Sequence, residues 1–220
     1  RLSEISNYEE VFSKIEGLET YSVRLEQEGL IATAHKSLGA ILKGIYLDKE
    51  QNFGQLSSFI TQGDYSLGKE NTGSLIGSAL AKKFNLSIGS RVIFTAQDAM
   101  GEINSISFRI TGILKTGNPS IDESSVFVSM EQMSKFLNLQ QSATQIALRV
   151  KDTDRISIVQ KKLQTVFPDI EVLRWDELYP LLIQMQELIN IYNLASYAIV
   201  FIVAALGIFG VMLVSVLERM

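Results

Sequence analysis

The feature that most constrains this chain is an apolar segment near its C-terminus. Leu194 to Leu217 contains no charged side chain and is almost wholly apolar. As a helix rising ~1.5 Å per residue it would reach about 36 Å, which exceeds the ~30 Å hydrocarbon core of a bilayer. A buried helix of this length in a soluble protein would normally show a polar stripe. The sequence therefore predicts a membrane-spanning helix in contact with membrane lipid.

Small residues within this segment predict a surface for packing against another membrane helix. Ala204, Gly207 and Gly210 are spaced at i, i+3 and i+6, so they form one strip where a second backbone could approach closely. Arg219 supplies the positive charge at the far end, which favours placing that end in the cytoplasm. We therefore expect residues 1–190 to be extracytoplasmic.

Composition excludes several function classes. The net charge is −4, the isoelectric point is about 5.2, and no Lys/Arg-rich run occurs, so no nucleic-acid partner is predicted. The chain has no cysteine and a single histidine, His35, so it cannot build a thiolate site, a His-based triad or a multi-His metal site by itself. Asp122 and Glu123 are adjacent carboxylates that are better explained as turn residues than as an acid–base pair. No catalytic, cofactor-binding or metal-binding residue is predicted.

The N-terminal part reads as a helix followed by strands. Ser6 and Glu9 form a capping box for an amphipathic helix that ends near Glu16, with Gly17 suited to the stop. The alternating stretch "ETYSVRLEQ" predicts a strand, and Glu28-Gly29 predicts a turn before the next strand.

Residues 144–175 form the clearest supersecondary unit. Alternation over Ile146–Val150 predicts a strand, the apolar stripe over Ile156–Val166 predicts a helix, and Ile170 and Val172 predict a second strand. The N-terminal helix and strand resemble the second half of such a unit, whose first strand would precede Arg1. Two units flanking a β-rich region predict a split α+β domain.

A hairpin is predicted within the β-rich region. "SRVIFTA" and "SISFRITGIL" both alternate as strands, and the loop between them runs from Gln97 to Asn104. The tip of this hairpin is expected to project from the domain.

A long helix is predicted to leave the domain and to enter the membrane. Asp176 and Glu177 lie where carboxylates favour a helix start, and Pro180 falls within the first turn. No flexible linker separates this stretch from the apolar segment. We therefore expect one continuous helix that can transmit a displacement.

At this point a family resemblance can be stated. The stretches "SLIGSALAKKFNLSIGSRVIF", "FRITGILKTG", "IDESSVFVSMEQM" and "TQIALRVKD" follow the order found in extracytoplasmic domains of FtsX/MacB/LolC-LolE permeases. Ser90 stands where that family usually has Asp. The tail "AALGIFGVMLVSVLERM" resembles the family's second membrane helix.

The resemblance implies a fold and domain boundaries. It implies a ferredoxin-like "porter" lobe from residues 1–52 and 144–175, split by an inserted β-rich lobe from residues 53–143. Residues 176–220 would be a stalk helix continuous with a transmembrane helix.

The resemblance also implies a function, a permease subunit of a mechanotransmission ABC transporter in the cell inner membrane. Its partners would be an ABC ATPase subunit, which would carry the ATPase activity, a second permease copy or paralogue, and a periplasmic cargo or chaperone. Glu218 and Arg219 would couple to the ATPase. The residues expected on a cargo hairpin are Gln97, Asp98, Met100, Gly101 and Glu102.

Two other functions stay open at this stage. A membrane-tethered module could regulate an extracytoplasmic enzyme such as a cell-wall hydrolase. An anchored hydrolase using Asp122 or Glu123 is the third hypothesis. The transporter hypothesis itself leaves lipoprotein release and efflux as alternatives.

Overall fold

The computed structural model describes residues 8, 11–12, 15–34, 36–68, 72–139 and 142–219, without the side chains of residues 182 and 183. Tyr8 and Phe12 are helical, as predicted, and Gly17 follows with a left-handed φ of 96°. The predicted capping pair Ser6 and Glu9, and the single histidine His35, lie outside the described residues. The chain divides into two compact units, Arg1–Arg155 and Ile156–Met220.

The first unit is a mixed sheet with short helices. Its described strands are β1 (Leu18–Ala32), β2 (Ser37–Ile45), β3 (Ile60–Gly63), β4 (Gly73–Gly77), β5 (Arg91–Gln97), β6 (Ile103–Leu114), β7 (Ser125–Ser129) and β8 (Gln145–Val150). Its described helices are α1 (Leu47–Gly54), α2 (Ser78–Phe84), α3 (Pro119–Asp122) and α4 (Met130–Phe136), and a 3-10 turn covers Leu56–Phe59. This architecture confirms the predicted α+β class, while the ferredoxin-like arrangement of the first lobe stays a prediction.

Strand β1 organises the sheet because it pairs with three other strands. Its first half, Leu18–Arg24, pairs with β8, and its second half, Arg24–Ala32, pairs with β2 on the opposite edge. Its last residues, Leu30–Ala32, also pair with β5. The further pairings β2–β7, β7–β4, β4–β6 and β6–β5 complete a closed ring of six strands, and β3 adds to β6. Closure removes free edges from the ring strands.

The ring joins segments that the resemblance assigns to different lobes. The resemblance assigns β2 to the porter lobe and β7 to the insert. The two strands pair in parallel from Ile41–Ser125 to Ile45–Ser129. The division at residues 52 and 143 stays a prediction. Within this structure the two segments share one hydrogen-bonded sheet.

Two apolar clusters fill the first unit. The larger cluster includes Leu25, Phe94, Phe108 and Met133, and the smaller one includes Phe127. Residues Val126 and Val128 belong to the larger cluster, so alternate side chains of β7 enter different clusters. All five residues of β7 are buried, which is the pattern of a strand covered on both faces.

The predicted turn at Glu28-Gly29 is wrong, because both residues lie inside β1. Gly29 is required there by close packing rather than by a bend. A Cβ at Gly29 would lie 2.5 Å from the Thr95 carbonyl oxygen and 2.6 Å from the Phe94 ring. The missing side chain therefore allows β1 to approach β5 and close the ring.

The second unit contains α5 (Ile156–Val166), α6 (Trp175–Leu178) and α7 (Pro180–Leu217). The predicted strand at Ile170 and Val172 is wrong, since residues 171–174 have no assigned secondary structure. Side chains of α5 replace a strand partner there. Gln164 Nε2 donates to the Ile170 carbonyl at 3.0 Å, and Gln160 Nε2 donates to the Val172 carbonyl at 2.9 Å. These bonds satisfy backbone groups that a sheet would otherwise need to pair.

The helix predicted to run without interruption from Asp176 is broken once, at Tyr179. This residue has φ −126° and ψ 61°, which is not helical. The residue before a proline is disfavoured in the α conformation by a clash with the proline ring, so Pro180 restarts the helix instead of continuing it. From Pro180 to Leu217 the helix is continuous over 38 residues.

Replacing Gly29 with alanine tests ring closure. We expect Gly29→Ala to lower the free energy of unfolding by about 1–3 kcal/mol, because the added methyl group overpacks the β1–β5 contact. Gly39→Ala in β2 is the matched control, since a Cβ there meets no atom within 4 Å. Urea denaturation measures the free energy of unfolding of both variants. An equal effect of the two substitutions would contradict this role of Gly29.

Candidate functional site

The loop that joins β5 to β6 is ordered around one buried carboxylate. Asp98 is 6% exposed, and its Oδ1 accepts hydrogen bonds from the backbone N–H groups of Met100 at 2.8 Å and Glu102 at 2.9 Å. Its Oδ2 accepts from Asn104 Nδ2 at 3.0 Å. Hydrogen bonds to a charged acceptor are stronger than neutral ones. The hairpin predicted from the sequence is therefore present, and its tip has a fixed shape.

Large apolar side chains project from this ordered tip. Met100 is 75% exposed and Ile103 is 79% exposed. Gly101 occupies a left-handed φ of 89°, and Gln97 Nε2 donates to its carbonyl at 2.7 Å. Met is adaptable at binding surfaces because its side chain is flexible and polarizable. The tip can thus offer an apolar contact on a rigid support.

The other carboxylates considered from the sequence have structural partners. Asp122 is buried, and it accepts hydrogen bonds from the backbone N–H and the hydroxyl of Thr116 and from the Gly117 N–H. Glu123 instead pairs with Lys83 at 2.7 Å. The two carboxylates therefore serve different contacts, one ordering a loop and the other forming an exposed ion pair.

An ion pair that the sequence does not reveal fixes α1 against β1. Glu50 is 4% exposed, and it accepts hydrogen bonds from Arg24 Nη2 at 2.6 Å, from Arg24 Nε at 3.1 Å and from Ser22 Oγ at 2.5 Å. Arg24 and Arg149 both lie over the Phe53 ring, at 5.3 and 5.2 Å from its centroid. A bidentate arginine pair adds geometric specificity. Partners separated by 26 residues leave no local signal in the sequence.

One tyrosine beside α1 has a pKa raised above its ordinary value. Burial, followed by the charges of Glu50 and Asp48, raises the pKa of Tyr65 to about 12. Its hydroxyl donates to the Leu47 carbonyl at 3.0 Å. Because the group stays protonated at neutral pH, it can serve as this hydrogen-bond donor.

The turn that precedes α7 is braced by polar contacts. Arg174 forms two hydrogen bonds with Asp176, at 2.9 and 2.5 Å, and its Nη1 donates to Ser157 Oγ on α5 at 3.0 Å. The hydrogen bond from Arg174 holds the pKa of Asp176 below its ordinary value. Glu177 Oε2 accepts from the Arg174 N–H and from Gln160 Nε2. These contacts tie the turn to α5.

The small-residue strip lies on an open groove of α7. The groove is lined by Leu206, Gly207, Gly210, Val211, Val214 and Ser215. A Cβ at either glycine would meet no atom within 4 Å. Ala204, the third residue of the predicted strip, does not line this groove. Glu218 and Arg219 come directly after α7 and form a turn at its C-terminal end. Their coupling to an ATPase stays a prediction.

One helix in the described part of the chain has the length and composition to cross a membrane. It covers Gln184–Leu217, and none of its most apolar window is buried. Monomeric soluble proteins rarely expose an apolar surface of this extent. The lipid environment predicted from the sequence agrees with this exposure.

Comparison with known proteins identifies the family. The profile of the MacB-like periplasmic core domain matches residues 9–166. The chain therefore belongs to the MacB-like periplasmic core domain family, as the sequence motifs predicted. A domain of this family joined to an apolar helix of this length defines a membrane protein with an extracytoplasmic domain. No curated protein sequence gives a match.

Two solved structures share the fold at low sequence identity. The extracellular domain of the noncanonical ABC-type transporter YknZ from Gram-positive bacteria has a TM-score of 0.53 and 13% identity, covering 74% of this chain and 83% of that chain. The periplasmic region of MacB from Actinobacillus actinomycetemcomitans has a TM-score of 0.53 and 16% identity, covering 76% of each chain. These similarities concern the fold.

Removing the buried carboxylate tests the order of the hairpin tip. We expect Asp98→Ala to cost about 1–3 kcal/mol of stability, because three partly buried hydrogen bonds lose their acceptor. Amide hydrogen exchange at Met100 and Glu102 should then accelerate. Glu102→Ala is the control, since its exposed side chain lies on the same loop. Unchanged exchange in Asp98→Ala would show that the tip is ordered by other contacts.

Proposed function

We propose that this chain is the extracytoplasmic domain and one membrane helix of a permease subunit in a mechanotransmission ABC transporter. The observation that carries this proposal is that the family domain, residues 9–166, is followed along the chain by α7, an apolar helix of 38 residues. The proposed partners are a separate ATPase subunit and a second permease copy or paralogue, in the cell inner membrane. Residues 1–190 would be extracytoplasmic.

The proposed mechanism uses α7 as a rigid rod. ATP hydrolysis on the cytoplasmic subunit would displace the helix near Glu218 and Arg219. The helix has no glycine between Pro180 and Gly207, so bending there would require breaking backbone hydrogen bonds. Displacement would then reach the turn held by Arg174 and drive release or export of a cargo.

The hairpin tip is the proposed contact for a cargo or a chaperone. Gln97, Asp98, Gly101 and Glu102 would hold the loop, and Met100 would provide the apolar contact. Lipoprotein release and efflux are both compatible with such a contact. The regulatory alternative, control of an extracytoplasmic enzyme, would use the same tip with an enzyme as the partner.

Membrane topology is the first test of this proposal. These 220 residues have no cysteine, so in a protein whose remaining residues are also free of cysteine a single introduced cysteine reports its own location. In intact spheroplasts carrying the full-length protein, we expect a membrane-impermeant maleimide to label Met100→Cys. It should label Glu218→Cys only after permeabilisation. Labelling of both positions without permeabilisation, or recovery of the protein in the aqueous fraction, would reject the membrane crossing.

Stiffness of α7 is the second test. We expect insertion of Gly-Gly after Gln186 to uncouple ATP hydrolysis from movement of the extracytoplasmic domain, because glycine costs about 1 kcal/mol per residue in a helix relative to alanine. Ala-Ala inserted at the same place is the matched control, since it shifts the helical register equally but preserves stiffness.

The readout is an environment-sensitive fluorophore on Met100→Cys in the reconstituted complex with its ATPase. The ATP-induced fluorescence change should be lost with Gly-Gly and kept with Ala-Ala, while both complexes hydrolyse ATP. An equal fluorescence change in the two insertions would contradict transmission through a rigid helix.

A further inference from the structure

Alternate side chains of β5 and β6 point away from the core of the first unit. Val92, Phe94 and Phe108 are buried in the larger apolar cluster. Successive side chains of a strand point to opposite faces of a sheet, so the residues next to these three face outward. We call this side of β5, β6 and the end of β1 the outer sheet face. It carries Leu30, Arg91, Ile93, Thr95, Ser105 and Arg109.

Two arginines lie directly opposite each other on the outer sheet face. Arg91 of β5 is in register with Arg109 of β6, and both are exposed. Opposite residues of an antiparallel pair have Cβ atoms about 4.5–5.5 Å apart, and like charges placed there destabilise the sheet. Neither side chain forms an ion pair or a hydrogen bond within the part of the chain that the structure describes, whereas Arg24 and Arg174 each bind a carboxylate. The repulsion between Arg91 and Arg109 is therefore not offset by any described residue.

The surface beside the two arginines is level and partly apolar. Ile93 is 45% exposed and Leu30 is 53% exposed. Leu30 is in register with Thr95, and Ile93 with Ala32, so the two apolar side chains are diagonal neighbours on adjacent strands. Thr95 Oγ1 and Ser105 Oγ share a hydrogen bond of 2.8 Å across β5 and β6. An apolar patch with short side chains around it thus adjoins a doubly positive patch.

The chemistry of the outer sheet face fits a protein partner. Small-molecule sites are concave and enclose most of their ligand, whereas the side chains of this face stand exposed on a sheet. Arginine is enriched at protein interfaces, and lysine is depleted there. A guanidinium group binds a carboxylate through two parallel hydrogen bonds, so Arg91 and Arg109 can hold two carboxylates of one segment. Charge complementarity therefore selects an acidic segment that carries apolar residues beside its carboxylates.

We propose that the outer sheet face is a docking surface for an acidic segment of another extracytoplasmic protein. Carboxylates of that segment bind Arg91 and Arg109, and its apolar side chains cover Ile93 and Leu30. Strand β5 runs from Arg91 to Gln97, so the arginines lie about 20 Å from the hairpin tip at ~3.4 Å per residue. The docking surface is thus separate from the contact proposed for the tip, and it does not depend on what the tip binds.

Binding of a defined peptide to the full-length protein in nanodiscs of zwitterionic lipid tests the proposal. The probe is a short dye-labelled peptide with two glutamates at one end and two leucines at the other, measured by fluorescence anisotropy. We expect the double variant Arg91→Gln and Arg109→Gln to bind it about tenfold more weakly, because charge-assisted hydrogen bonds are lost. The matched control is the double variant Lys115→Gln and Arg155→Gln, which removes two positive charges from exposed positions of the same unit. It should bind like the unsubstituted protein.

Two analogues of the peptide separate the charged part of the contact from the apolar part. Replacing its glutamates with glutamine should weaken binding as much as the arginine double variant does. Replacing its leucines with serine should weaken binding as much as Ile93→Ser does with the original peptide. Equal affinity for the glutamate and glutamine peptides, or an equal loss in the two double variants, would overturn the proposal.

Two further results would assign the outer sheet face to a different occupant and reject an acidic protein segment. One is flotation of the protein with phosphatidylglycerol vesicles that depends on Arg91 and Arg109 while peptide binding does not. The other is self-association of the full-length protein that the same two substitutions abolish.

The free protein offers a second measurement, because an unoccupied docking surface keeps its repulsion. We expect Arg109→Gln to raise the midpoint of urea unfolding of the full-length protein, since it removes one of two like charges that stand opposite each other. Lys115→Gln, beyond the end of the same strand, should leave the midpoint unchanged. A midpoint that is unchanged or lowered in Arg109→Gln would show that this arginine is kept for the fold, and it would reject the docking surface.

Discussion

The extracytoplasmic domain depends on strand β1 forming hydrogen bonds with three neighbours. Its first half holds β8, its second half holds β2, and its last three residues close the ring through β5. Fifteen residues of continuous strand thereby join segments more than 100 residues apart in the chain. The partly buried Arg24–Glu50 pair adds α1 to the same strand.

The turn before α7 is held by side-chain hydrogen bonds instead of by regular secondary structure. Pro180 removes one backbone donor and excludes the helical conformation at Tyr179. The turn that results is held by Arg174, whose side chain reaches both Asp176 and Ser157. A displacement of α7 would therefore pass to α5 through charge-assisted hydrogen bonds. In a transporter of the proposed kind, this turn would determine how much of the motion is transmitted.

The sequence predicts features that depend on near neighbours and misses those that depend on distant ones. The β5–β6 hairpin and the apolar helix were predicted because alternation and uninterrupted hydrophobicity are local patterns. The prediction of a turn at Gly29 is wrong because the contact that requires glycine there is distant in sequence. That contact is with the Phe94 ring, 65 positions further along the chain. The strand expected at Val172 is absent because Gln160 and Gln164 bind that backbone instead. The alternating residues of the two flanking strands predict the loop at the hairpin tip. No local sequence pattern indicates that Asp98 is buried.

In the proposed topology, one part of α7 lies in water and another part lies in lipid. Exposed apolar side chains affect helix packing differently in these two environments. In the proposed topology Leu181, Met185 and Leu188 stand in water, where the hydrophobic effect favours covering their exposed side chains. In lipid, apolar side chains gain nothing from leaving their surroundings, so close packing around Gly207 and Gly210 decides the contact instead. The two parts of this one helix therefore follow different rules for packing against a neighbouring helix. Hydrophobic burial favours contact in the part that stands in water, and close backbone approach favours contact in the part that stands in lipid.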